Sequence, residues 1–157
     1  VIYNASRGWA LRLYPGTLSN VNILNNTFAF PNPDRDGHIA VTDVTVLNST
    51  IVNNLFYQPR NAAIRLSGAT NVSGSVASRN LTTAPTMTSP APPAGLTVSN
   101  NWTNTDPLLV NPAGHDLHLG ATSPAIDKGA ALMTMTLDYD GCSRPRGAGI
   151  DIGAYER

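Results

Sequence analysis

Apolar residues return along this chain at the pitch of one short coil. An apolar residue followed two positions later by Asn occurs at Ile2/Asn4, Ile23/Asn25, Ile51/Asn53 and Val98/Asn100. Val76/Ser78 repeats the pattern with Ser in the Asn slot. The spacings between these anchors are 21, 28, 25 and 22 residues. About twelve residues before three of the anchors stands a second pattern: Ala10-Leu11-Arg12-Leu13, His38-Ile39-Ala40-Val41 and Ala63-Ile64-Arg65-Leu66. Alternation points Leu11 and Leu13 inward and leaves Arg12 and Arg65 outward at equivalent positions, with Ala40 between them. A repeat of this length predicts stacked coils, each too small to bury its apolar face alone. The chain therefore reads as all-β, a β-solenoid of about four to five coils.

The recurrent Asn has a physical reason to recur. Asn tolerates the left-handed backbone region and bonds local backbone, so it suits a corner. In a stack its amide also bonds the copies above and below. The predicted ladder is Asn4, Asn25, Asn53, Ser78 and Asn100, a buried column of amides. Six Asn-x-Ser/Thr sequons, at Asn4, Asn25, Asn48, Asn71, Asn80 and Asn101, fall largely on these rungs. They are better read as ladder chemistry than as glycosylation sites. Residues 31–37 are an insertion that stretches the longest spacing. Residues 83–95 are rich in Pro, Thr and Ala, and read as a surface loop or edge closure, since Pro cannot donate to a central ladder.

From Asp106 the period is lost. Ser123-Pro124-Ala125-Ile126-Asp127 predicts a short helical turn with Ser as N-cap and Pro first inside it. A solenoid needs an atypical terminal unit. The chain divides accordingly into coils over residues 1–105 and an irregular C-terminal cap over 106–157, expected on the last coil. The string Asp106-Pro107-Leu108-Leu109-Val110, Ser123-Pro124-Ala125-Ile126-Asp127, Asp138-Tyr139-Asp140-Gly141, Arg144-Pro145-Arg146 and Asp151-Ile152-Gly153-Ala154-Tyr155-Glu156 resembles a "choice-of-anchor"-type terminal module. Such modules are found on bacterial surface or secreted proteins of the pectate-lyase-like superfamily. The resemblance implies a right-handed single-stranded parallel β-helix, export to the cell surface or beyond, and a carbohydrate-related role. Members usually continue into an anchoring segment, whereas this chain stops at Arg157.

Charge removes one class of partner. Ten basic and ten acidic residues cancel, and only 13% of residues are charged, so nucleic acid, which requires a basic face, is not an expected partner. No apolar run is long enough for a membrane span. The bases favour residues 1–105 and the acids 106–157, which helps the second part dock on the first. One cysteine, Cys142, rules out an internal disulfide framework, and with no His near it in sequence it is not read as a nucleophile. The chain lacks an initiator Met and a signal peptide and begins on a rung, so it reads as a fragment or processed product. The missing coil below Val1 leaves an open edge, and open edges pair. A homodimer through the N-terminal end, or an upstream continuation, is expected.

The candidate chemistry is sparse. Arg12 and Arg65 are the catalytic candidates, because in the resembled superfamily's lyases an outward Arg or Lys acts as base with calcium; a guanidinium normally stays protonated, which opposes that role. Asn32, Asp34, Asp36 and Asp43 have the oxygen-ligand spacing of a calcium loop, with Asp where Glu is expected at the last position. Trp9, Tyr14 and Tyr57 are candidates for stacking on sugar rings. His115, Asp116 and His118 are read as hydrogen-bonding residues of the cap, and Asp138, Asp140 and Asp151 as partners of Arg144 and Arg146 that pin its loops. Glycoside hydrolysis needs two carboxylates astride the bond, and the outward strand positions supply none. The leading expectation is a non-catalytic structural or polysaccharide-binding part of an exported β-helix protein. A calcium-dependent lyase acting on uronate-containing glycans, and an oligomerising adhesin or scaffold, are the alternatives.

Overall fold

The computed structural model describes residues 1–3, 8–31, 33–69, 71–132 and 134–157. It is a parallel β-solenoid of about three turns, fewer than the repeat count predicts. The first turn runs through β2 (Leu11–Leu13), β3 (Gly16–Ser19), β4 (Asn22–Leu24) and β5 (Thr27–Ala29). The second runs through β6 (Ile39–Thr42), β7 (Val44–Leu47), β8 (Thr50–Val52) and β9 (Leu55–Tyr57). The third holds β10 (Ala62–Ser67), β11 (Ser75–Ser78) and β12 (Leu81–Thr82), and β13 (Thr86–Ser89) and β14 (Leu96–Ser99) begin another. Before them, β1 (Ile2–Tyr3) lies beside β5. Three four-stranded parallel sheets result, ordered β1-β5-β9-β12, β2-β6-β10-β13 and β4-β8-β11-β14, with β3 and β7 as a two-stranded parallel ribbon. The Pro-rich segment is therefore not all loop: Thr86–Ser89 is an edge strand on β10, a position where flanking prolines are tolerated.

Corners are built from left-handed residues. One residue past β4, β8, β11 and β14 stand Asn25, Asn53, Arg79 and Asn100, with φ of 50°, 59°, 50° and 52°. Another corner column is Asn20, Asn48, Gly74 and Gly95, all at positive φ. Asn and Gly reach this region at least cost, so the repeating Asn marks the bend itself.

The amide ladder stands one residue beyond Asn25, Asn53 and Asn100 of the predicted one and two beyond Ser78. Ile23 pairs with Ile51 and Ile51 with Ala77, which pairs with Val98. Ser78 thus aligns with Val52, not with Asn53, and Ile2 pairs with Phe28 in another sheet. Asn4 lies outside the described residues. The ladder that forms is Asn26, Asn54, Asn80 and Asn101. Each Oδ1 of Asn54, Asn80 and Asn101 accepts both the backbone N–H and the Nδ2 of the Asn one turn earlier, at 2.8–3.2 Å. The Nδ2 groups of Asn54, Asn80 and Asn101 also donate to Ile23, Ile51 and Ala77 carbonyls. Asn54 and Asn80 are fully buried. A buried amide is tolerable only when its donors and acceptor are all engaged, and this column meets that condition.

Inside the turns, Leu13, Ile23, Ile39, Val41, Val46, Ile64, Leu66 and Val72 form the main core. Phe28 stacks on Phe56 with ring centroids 5.0 Å apart. The β5-β9-β12 sheet is buried on both faces. Its outer residues Leu55, Leu81 and Ala29 lie under Leu117, Leu119, Ala125, Ile152, Ala154 and Tyr155. Adjacent buried Leu55 and Phe56 are the sequence mark of a strand covered on both sides.

The segment 106–157 therefore runs along the flank of the turns, reaching from Ala29 to Trp102. It contains an antiparallel pair, β15 (Leu109–Asn111) and β16 (Asp116–Leu119), around a single 3₁₀ turn at Pro112–Gly114. The Ser123–Asp127 stretch is a turn rather than a helix, with Ser123 Oγ accepting from Ala125 N and donating to Pro107 O. The corner asparagines hold the segment's backbone. Asn25 Nδ2 donates to Asp151 O at 3.1 Å, and Asn53 exchanges bonds with both backbone groups of Ala130 at 2.9 and 2.7 Å. In the pairs Asn25-Asn26 and Asn53-Asn54 the first residue binds the flank segment and the second the ladder.

Candidate functional site

The outward face of the β2-β6-β10 sheet carries the chemistry. Arg12 pairs with Ala40 and Ala40 with Arg65, so the two arginines stand two strands apart, about 10 Å at the usual inter-strand spacing. Residues 33–37 of the insertion fold over this face. Trp9 Nε1 donates to Asp36 O at 2.8 Å, and Arg60 Nη1 to Pro33 O at 3.3 Å. The Asp36 carboxylate accepts from Asn61 Nδ2 at 2.5 Å and faces Arg65 Nη1 at 3.4 Å. The Arg12 Cζ lies 4.1 Å from the Tyr14 ring centroid and 5.4 Å from that of Trp9, and Arg35 Cζ is 5.2 Å from Trp9. Trp9, Asp34, Arg35, Asp36, Arg60 and Arg65 line a cleft of about 160 Å³.

The structure brings some predicted residues together and separates others. Arg12, Arg65, Trp9 and Tyr14 share one face. Tyr57 does not: it lies on the β5-β9-β12 sheet, edge-on to Phe30 at 5.6 Å and half covered by the flank segment. The proposed calcium ligands are not assembled. Asp36 is taken by Arg65 and Asn61, while Asp43 sits beyond the far end of β6, at a left-handed corner against Gly68. An extended strand advances about 3.3 Å per residue, so β6 carries Asp43 away from Asp36 where a calcium loop would curl back. Asn32 lies outside the described residues. Among the described residues no three His, Cys, Asp or Glu side chains group as a metal site requires. Arg12 has aromatic rings as neighbours and Arg65 a carboxylate. Arg35, Arg60 and Asn61 belong to the cleft but lie in connections without periodicity, so the repeat pattern does not point to them.

The flank segment holds the other polar constellations, whose groups bond one another and the segment's own backbone. Arg144 and Glu156 form a buried ion pair at 2.6 Å. Arg144 also donates to the carbonyls of Leu137, Asp151 and Gly153, and Glu156 accepts from Asp151 N and Arg146 N. Burial raises the Glu156 carboxyl above its ordinary range, and the facing guanidinium partly opposes this. Asp138 accepts three backbone N–H bonds, from Asp140, Cys142 and Glu156. His118 bridges Asp140 at 2.7 Å and Asp116 at 2.5 Å, using both ring nitrogens. Those two hydrogen bonds, Asp140's first, raise its pKa. His115, by contrast, closes the 3₁₀ turn at φ 69° and lies against Tyr3. An apolar void of about 30 Å³ lies in the solenoid interior among Leu13, Ile23, Val41, Val46 and Ile64, too small for a ligand. Among the described residues no helix is long and apolar enough to cross a membrane.

Fold and face together define a parallel β-solenoid with a flank-bound C-terminal segment and an arginine-aromatic cleft on one sheet. Comparison of the chain with protein-family models, with curated proteins and with solved structures gave no match.

Proposed function

We propose that this chain is a non-catalytic part of an exported β-helix protein, and that it binds polysaccharide on the outer face of the β2-β6-β10 sheet. The observation that carries this reading is the convergence of Arg35, Arg60 and Arg65 with Trp9 in the cleft, and of Arg12 with Trp9 and Tyr14 beside it, on the outer side of this sheet. Guanidinium groups match carboxylate and sulfate oxygens with paired hydrogen bonds, so the glycan favoured is an acidic one. β10, which presents Arg65, is paired on both sides, and β2, which presents Arg12, is the edge strand paired with β6; this pairing supports a preformed surface. The similarity of the Asp-Ile-Gly-Ala-Tyr-Glu region to terminal modules of the pectate-lyase-like superfamily supports the same placement and an extracellular setting. Hydrolysis finds no support, since one of the cleft's two acids, Asp36, is already engaged by Arg65 and Asn61.

Affinity electrophoresis against uronate-containing and neutral polysaccharides, with and without calcium, tests the reading. Retardation by the acidic polymers, lost in the Arg12→Ala/Arg65→Ala double variant and without bond cleavage, is the expected result. No retardation by any polymer overturns it. Calcium-dependent release of unsaturated sugar overturns the non-catalytic part in favour of a lyase.

A further inference from the structure

We propose that Asp36 is a built-in counter-anion of the arginine cleft: residues 33–37 hold its carboxylate on Arg65, and an anionic ligand opens the cleft by replacing it. This rests on the reading of the same face as a glycan site and adds how that site is kept closed.

The contacts have the form of a strap. Asp36 lies in the connection between the first and second turns, whereas Arg65 and Asn61 belong to the third turn and the approach to it. The connection therefore reaches across the sheet face. Its far anchor is firm. Gly37 is buried at φ 76°, and a Cβ there would lie 3.0 Å from Ala63 O and 3.1 Å from Arg65 N. No side chain fits between this backbone and β10. The contacts of the near part include Trp9 Nε1 to Asp36 O, Arg60 to Pro33 O, the carboxylate to Asn61 and Arg65, and Arg35 over the Trp9 ring.

Strength decides what such a strap can do. The Arg65–Asp36 pair is long, at 3.4 Å, and both side chains are about a quarter to a third exposed. Pairs of this kind contribute little to stability, so an incoming oxyanion competes on nearly equal terms. The carboxylate also stands where such a ligand would stand, against a guanidinium on the outer face of the sheet. Three arginines and two aspartates line the cleft, with Arg12 beside it on the Trp9 ring, and this excess of positive charge draws an anion before the strap moves. A carboxylate or sulfate group on a polymer would then take the Arg65 and Asn61 contacts.

Inorganic sulfate is the probe, titrated at constant ionic strength and read by Trp9 fluorescence in a Trp102→Phe background. Asp36→Asn keeps the shape and removes the charge, Asp36→Ala removes the contact, and Asp43→Asn removes an equal charge outside the cleft. Half-saturation by sulfate about fivefold lower in both Asp36 variants, and unchanged in Asp43→Asn, is the expected result. Equal sulfate binding in the parent and the Asp36 variants, or an equal gain in Asp43→Asn, overturns the strap. The polysaccharide reading fails separately. If sulfate binding tightens but no polymer is retarded by any form, the strap stands and the glycan falls. If polymers are retarded and the Asp36 variants behave as the parent, the glycan stands and the strap falls.

Discussion

Acid is expected to act on this fold through His38. The ring is fully buried beside Phe28 and Phe56, with centroids at 5.9 and 6.1 Å. Nε2 lies 2.9 Å from Tyr57 O, so it carries the proton and donates, and Nδ1 has no partner among the described residues. Burial lowers the pKa to about 4, against a smaller opposing effect of the Tyr57 carbonyl. The unfolded chain, near the ordinary value of 6.5, therefore binds this proton at higher pH than the folded one does. Stability is unaffected well above pH 6.5 and is lost as the pH falls from there towards 4. At about 1.4 kcal/mol per pH unit, the separation amounts to ~3 kcal/mol, a large share of the ~5–15 kcal/mol that a domain typically has. Urea unfolding of the native chain and of His38→Phe across this pH range isolates the effect, because carboxylates and the other histidines titrate alike in both. The variant starts less stable from the lost Tyr57 bond, but its stability should fall ~3 kcal/mol less between pH 7 and pH 4. Parallel curves for the two proteins would refute a buried neutral His38.

Three further outcomes follow from the packing. Asn54→Leu strands the Asn26 N–H and the Ile23 carbonyl inside the stack and should cost about 2–6 kcal/mol in chemical unfolding, at one to three per buried orphan; a loss under about 1 kcal/mol would mean the ladder is not an energetic element. Gly153→Ala places a Cβ 2.9 Å from Thr27 Oγ1 at φ 110°; limited proteolysis should then cut within residues 128–157 while the turns stay intact. Arg144→Met leaves Glu156 buried without its cation and should cost about 3–5 kcal/mol, with Arg144→Met/Glu156→Leu recovering part of it in thermal unfolding.

The repeat was legible in the sequence because coils of similar length place like residues on like rungs. Its phase was legible only in part. Placing Ser78 in the Asn slot follows from Val76 looking like Ile51, yet the interior position is filled by Ala77 and the left-handed corner by Arg79. A long side chain is acceptable there because it points outward, with its guanidinium 3.4 Å from Lys128 O. The double Asn hid two roles in one motif, since inward and outward amides look alike in a string of letters. Arg12 and Arg65 could be matched because they sit on paired strands, whereas Arg35, Arg60 and Asn61 reach the cleft through connections whose path no periodicity sets. The spacing of Asp34, Asp36 and Asp43 suggested a cation loop only because a linear count does not show that β6 straightens the chain between them.

The flank segment also bears on the order in which the molecule can be made. Repeat proteins whose units touch only their neighbours can assemble turn by turn as they leave the ribosome. Here Asn25 and Thr27, in the first turn, bond to Asp151 and Ala154 near the end of the chain, 126 and 127 residues later. Until those residues emerge, the outer side of β5, β9 and β12, with Leu55, Leu81 and Tyr57, faces water uncovered. The completed stack is thus locked by residues made long after the strands they cover, and a nascent chain stalled short of them presents an apolar sheet face to whatever chaperone or neighbouring chain is nearby.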